Sequence, residues 1–267
     1  MRGARWGLTT GLSGALLCFL ALPIVALLWY AVASGELAGS LSRAVIIDAL
    51  MLSLVSTLFS LTLIVALGSP LAYLLARREF RGRALVETLI DLPIVLPPSV
   101  AGLGLLLAFG QRGTLGGPLE ALGVTVPFTT VAVVLAQVFV SAPFYVRAAQ
   151  TGFRSVDREV EDAARVDGAG PWSVLRLVTV PLAWPAIGAG LVMSWARALG
   201  EFGATIMFAG NIAGRTQTLP LVVYSEFQVS LDSSVAAAAV LILAALGVLI
   251  TVRLTPWRTA LDVRSMR

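Results

Sequence analysis

The residues best placed to do chemistry lie in one stretch: Arg197 and Glu201 stand four positions apart, and Arg215 leads into Thr216, Gln217 and Thr218. Two arginines can attract an oxyanion, the carboxylate can keep that attraction from becoming too tight, and the polar run can donate hydrogen bonds. The same residues also suit a plainer role, in which Arg197 and Glu201 neutralise each other at a helix end and Thr216–Thr218 form a solvated loop. Catalysis has little to work with. All 19 basic residues are arginine, histidine is absent, and Cys18 is the one cysteine. Without lysine there is no Walker A phosphate-binding loop and no Schiff base. Without histidine or a cysteine cluster there is no zinc-type site, and a serine nucleophile has no evident base. The expectation is therefore no catalytic residue, no metal site and no cofactor in this chain.

A second candidate region is the charged segment SVDREVEDAARVDGAGPWSVLRLVTVPLAWPAI, Ser155–Ile187. Ser155 can cap a helix whose first turn carries Asp157 and Glu159, and Arg165 stands near its last turn ahead of Gly168. Val156, Val160 and Ala163–Ala164 recur at helical spacing, which predicts a small apolar face with Glu161, Asp162 and Arg165 projecting elsewhere. Gly168 is expected in the left-handed region after the helix, and Pro171 suits the first position of another short turn. Such a loop offers a compact knob for another protein to grip. A solvated connection is the plainer alternative.

These residues must be positioned by membrane helices. The chain is 58% hydrophobic and 13% charged, with mean hydropathy +0.90, against about 25% charged in soluble domains. Six uncharged windows of at least 20 residues can each cross a hydrocarbon core of about 30 Å. Their unbroken hydrophobicity lacks barrel alternation, so the fold class is all-α, polytopic, in one domain. The spans are expected near 8–33, 49–76, 90–110, 124–147, 179–200 and 233–253, with the charged loop at about 150–176. With the N-terminus inside, fifteen of the nineteen arginines are cytoplasmic, leaving Arg43, Arg112, Arg197 and Arg215 outside, which fixes the direction. Both termini are then cytoplasmic, with Trp6 and Trp257 at the inner interface and Trp29–Tyr30 at the outer. A distribution between apolar segments argues against nucleic acid as a partner. Pro93, Pro97 and Pro98 open the third window and should bend or break it, as a hinge, as a pore-lining segment, or as ordinary tolerance of proline in lipid.

The order Glu161-Asp162-Ala163-Ala164, Gly168-Ala169, Val180-Pro181 with Pro185 resembles the EAA loop of ABC importer permeases. Asp162 lies six positions before Gly168 and Glu161 seven, so either can be the acidic residue of the motif. From Ala44 to Trp257 the chain is similar to molybdate-type permeases, best over RALGEFGATIMFAGNIAGRTQTLPLVVY (Arg197–Tyr224) and DLPIVLPPSVAGLGLLLAFGQRGTLG (Asp91–Gly116). The resemblance implies a type I ABC importer permease in the cytoplasmic membrane. Its Glu161–Ala169 loop would couple to two cytoplasmic ATPase subunits, which hold ATP and magnesium. It also implies a second copy of the chain, with the path between the two, and an extracytoplasmic oxyanion-binding protein. Tungstate, sulfate or thiosulfate are alternative cargoes. A secondary transporter or channel would need ionisable residues in mid-span, and the six windows hold none.

Overall fold

A computed structural model describes residues 2–40 and 43–254, and all the regular structure among them is helical. Trp257, Arg258, Arg264 and Arg267 lie outside the described residues. The chain runs through α1 (Arg2–Ala33), α2 (Glu36–Ser40), α3 (Ala44–Arg77), α4 (Arg83–Val95), α5 (Pro98–Phe109) and α6 (Gly116–Ala121). It continues through α7 (Thr130–Ser155), α8 (Arg158–Val166) and α9 (Pro171–Val174), a π-helical turn over Leu175–Thr179, then α10 (Val180–Leu199), α11 (Gly203–Phe208), α12 (Leu219–Phe227) and α13 (Leu231–Leu254). Five stretches are long and apolar enough to cross a membrane: Thr9–Ala33, Ala44–Arg77, Thr130–Ser155, Pro171–Leu199 and Leu231–Val252. The pair α4 and α5 makes a sixth if counted as one broken span. The chain is an all-α, multi-pass membrane protein.

α7 is the hub, packed along α3 and α10. Its cytoplasmic half joins Ile64, Ala72 and Leu75 of α3 and Ala183 and Ile187 of α10 around Tyr145 and Phe153. The outer half joins α5 and α11 through Ala132, Val133, Ala101, Ala204 and Phe208. A third apolar cluster, with Ile46, Leu219, Val222, Ala237 and Val240, ties α3 to α12 and α13 at the outer end. Where helices cannot rely on expulsion of water, hydrogen bonds between them specify the register. Ser60 Oγ donates to Gln137 Oε1 at 2.8 Å and Gln137 Nε2 to Thr57 Oγ1 at 3.3 Å, joining α3 to α7. Ser194 Oγ donates to the Ser141 carbonyl at 3.0 Å, joining α10 to α7.

Several boundaries depart from the expectations of the sequence. The window at 90–110 is two helices meeting at 119°, because Leu96 and Pro97 are extended (ψ 133° and 134°) and proline disfavours helix in the residue before it. α4 also begins seven residues early, at Arg83, since Arg83 bonds to Glu87 one turn on and α7 engages the acids: Arg147 binds Asp91, and Gln150 and Arg154 bind Glu87. The fourth span starts at Thr130 rather than 124, where Thr129 Oγ1 accepts the Ala132 amide at 3.3 Å. It continues to Ser155, taking the first residues assigned to the loop into the helix.

The arginine distribution and the direction of α7 place Ala169 and Gly117 on opposite sides. In a Cys18→Ser background, Ala169→Cys should react with an impermeant thiol reagent only from the cytoplasmic side and Gly117→Cys only from outside. Labelling of both from one side would refute the topology.

Candidate functional site

Three parts make up the site: the cytoplasmic knob formed by α8, the ion pair beneath it, and the outer break where α5 meets α11. α8 is capped by Asp157, whose side chain accepts the Glu159 amide at 3.0 Å. Ser155 is the last residue of α7 instead, its hydroxyl bonded back to the Gly152 carbonyl at 2.8 Å, so the expected cap moves two residues on. At the other end the Ala169 amide bonds to the Ala164 carbonyl and the Gly168 amide to the Arg165 carbonyl, both at 3.0 Å. That is the paired bonding of a Schellman turn. Gly168 sits at φ +91° with open space where a Cβ would project. α9 then begins at Pro171, as expected.

The apolar pattern of α8 left open which side packs on the rest of the chain, and in the structure that side belongs to Glu161. Val160 is exposed, Asp162 and Ala163 face outward, and Glu161 is the buried residue of the helix. The reason is a partner. Arg77 at the end of α3 donates from Nη2 to Glu161 Oε1 at 2.6 Å, and Thr179 Oγ1 donates to the same oxygen at 2.6 Å. Arg77 was legible in the sequence only as one cytoplasmic arginine among fifteen, and Thr179 carried no signal, because both contacts span a long stretch of chain. Stripping one partner from a buried pair typically costs about 3–5 kcal/mol, since the other charge stays behind unpaired. Arg165 lies near both acids, ion-paired to Asp162 and 3.8 Å from Glu161. Asp162, Ala163, Ala164, Gly168 and Ala169 thus form one knob, with Glu161 as its root.

At the outer break, Arg197 and Glu201 are brought together as their spacing suggests, 2.6 Å apart. Glu201 is buried, and its Oε1 accepts the Ala204 amide at 2.7 Å, capping α11. Its carboxylate is therefore engaged by Arg197 and by the first turn of α11, the arrangement of the plainer, mutually neutralising role. Thr216 is also buried, and its Oγ1 accepts the Ile212 amide at 3.0 Å, which closes the loop rather than offering a free donor outward. Arg215 has an exposed side chain, while its carbonyl receives Thr130 Oγ1 at 3.0 Å. Pro98 starts α5 directly against α11: a Cβ on Gly203 would lie 2.8 Å from Pro98 Cβ, and one on Gly102 would lie 2.6 Å from the Ala204 carbonyl oxygen. The Pro97–Pro98 break and the Arg197–Glu201 pair, far apart in sequence, thus share one junction. Among the described residues no group of His, Cys, Asp and Glu is arranged to hold a metal.

The family described as binding-protein-dependent transport system inner membrane component matches residues 64–255. The molybdenum transport system permease protein ModB of Mycobacterium tuberculosis is 44% identical over 197 residues, covering 74% of this chain and 75% of its own. A probable molybdenum ABC transporter permease protein of Haloferax volcanii is 40% identical over 255 residues, 94% of this chain and 91% of its own. A crystal structure of a bacterial ABC transporter involved in alginate import shares the fold, with TM-score 0.70 at 18% identity, covering 94% of this chain and 96% of that one.

If the turn at Gly168 fixes the shape of the knob, a residue with a Cβ is strained there by about 1–2 kcal/mol, more when branched, although nothing blocks it sterically. Gly168→Val should insert normally yet lose the stimulation of a bound ATPase by loaded binding protein, and Gly168→Ala should lose less. Wild-type stimulated hydrolysis in Gly168→Val would remove the turn from the mechanism.

Proposed function

The chain belongs to the binding-protein-dependent transport system inner membrane component family: it is the permease subunit of an ABC importer, which also comprises an ATPase and a binding protein, and is not itself an enzyme. On that basis we propose that it carries molybdate, or its close analogue tungstate, through the cytoplasmic membrane. The observation that carries this reading is the similarity to permeases named for molybdenum transport, which reaches 94% of the chain and includes the Arg197–Tyr224 stretch. The proposed assembly is a homodimer of one-domain permeases with both termini cytoplasmic. Two ATPase subunits, holding ATP and magnesium, sit on the α8 knobs, and an oxyanion-binding protein delivers cargo from outside.

In this reading the outward face of α8, with Asp162, Ala163, Gly168 and Ala169, enters the ATPase groove. ATP binding draws the two knobs together and turns the path from inward-open to outward-open. Exposed Arg215 attracts the anion, and Arg197 assists while held by Glu201. The paired breaks at Pro97–Pro98 and Gly200–Gly203 supply the bending points. Carboxylates committed to arginine or to a helix end do not repel the cargo.

The test is uptake by the complete transporter in liposomes. Molybdate and tungstate should be taken up faster than sulfate at equal concentration, and Arg215→Gln should slow uptake of all three at low ionic strength. Sulfate uptake equal to or above that of molybdate would assign the chain to the sulfate class instead.

A further inference from the structure

Glu161 Oε1 is a three-way joint. It receives Arg77 Nη2 from the end of α3 and Thr179 Oγ1 from the start of the α10 limb, each at 2.6 Å. The side chains of Arg77 and Glu161 are 11% and 4% exposed, and Thr179 is fully buried. Arg77 also donates from Nη1 to the Val156 carbonyl at 3.2 Å, holding the link between α7 and α8. Asp162, the other acid of the motif, is 65% exposed. One acid therefore points into the membrane domain and its neighbour points away from it.

We propose that the Arg77–Glu161–Thr179 joint is the element that passes displacement of α8 to the membrane helices, which makes Glu161 a positioning residue of the transport cycle and not an ATPase contact. The inference rests on the reading above that α8 seats in the ATPase. Three physical points support it. α8 has nine residues, too short to hold together without tertiary anchorage, and Glu161 is its buried anchor. A desolvated ion pair is little weakened by salt or competing water, so its geometry persists under load. Thr179 closes a π-helical turn, a local widening of the helix often found at functional sites, and it begins the span that ends at Arg197 and α11. Motion of α8 is thereby tied to α3 and α10 together, the two helices that flank α7.

The experiment uses the chain assembled with its ATPase in proteoliposomes, in a Cys18→Ser, Met207→Cys background. Met207 lies on α11 at the outer break and is partly exposed. The readout is the change in Met207→Cys labelling on adding ATP and vanadate, together with retention of the ATPase on purification; neither depends on the cargo. Glu161→Gln should reduce the ATP-driven change at least about fivefold while retaining the ATPase. Because Glu161→Gln leaves Arg77 buried without a counter-charge, Arg77→Met/Glu161→Met, which removes both charges, guards against simple misfolding. It should lose the change to the same extent as either single variant, as expected for residues acting as one unit. Thr179→Val should show a smaller loss. An undiminished labelling change in Arg77→Met/Glu161→Met, or loss of the ATPase in Glu161→Gln but not in Arg77→Met, would overturn the joint. Retention of the ATPase by Val166→Asp would instead count against the docking reading, by an observable separate from the labelling.

Discussion

A hydrocarbon core offers no partner for a bare peptide group or a lone charge, and the molecule follows from that constraint. Backbone groups are satisfied within helices, and polar side chains in the interior bond across them, as Ser60, Gln137 and Thr57 do. Charges gather where helices end and meet a partner: Arg77 with Glu161, Arg147 with Asp91, Arg197 with Glu201. Each pair fastens one helix to another element or caps a short one. Electrostatics therefore places the joints, and apolar packing around α7 fills the volume between them.

Those joints divide the chain into a cytoplasmic end and an outer end linked by long helices. Below, α8 is rooted on α3 and on the π-helical turn that leads into α10. Above, α10 ends at Leu199, Glu201 caps α11, and α11 lies so close to α5 that Gly102 and Gly203 have no room for a Cβ. On the proposed coupling, a shift of the α8 root would bear on α10, and through it on the junction with α5. In the proposed cycle the Pro97–Pro98 break would let α5 follow α11 without dragging the whole of α4, which Arg147 and Arg154 hold to α7.

Composition and window length made the apolar segments legible, five unbroken and one broken at Pro97–Pro98, because membrane thickness acts on sequence locally. The break at Pro97–Pro98 and the left-handed Gly168 were legible for the same reason: proline and glycine act on the backbone where they stand. The burial of Glu161 was not legible because its partner Arg77, with a side chain only 11% exposed, stands 84 positions away in the chain. The choice between the two roles open to Glu201 and Thr216 was not legible, because sequence shows which groups can bind an anion, not which are already spent on backbone amides. Thr129 and Asp157 displaced the expected helix starts by local hydrogen bonds that several neighbouring residues had the chemistry to make.

The centre of this reading is that α8 is the surface on which ATP-driven motion enters the permease. Val166 is 87% exposed on that helix, and Phe227, 63% exposed at the end of α12, is a control on the other side of the membrane. Thiol labelling of Val166→Cys and Phe227→Cys, each in the Cys18→Ser background and with or without the ATPase subunit, tests it directly. The ATPase should protect Val166→Cys strongly and leave Phe227→Cys unchanged; equal labelling of Val166→Cys in both preparations would contradict it.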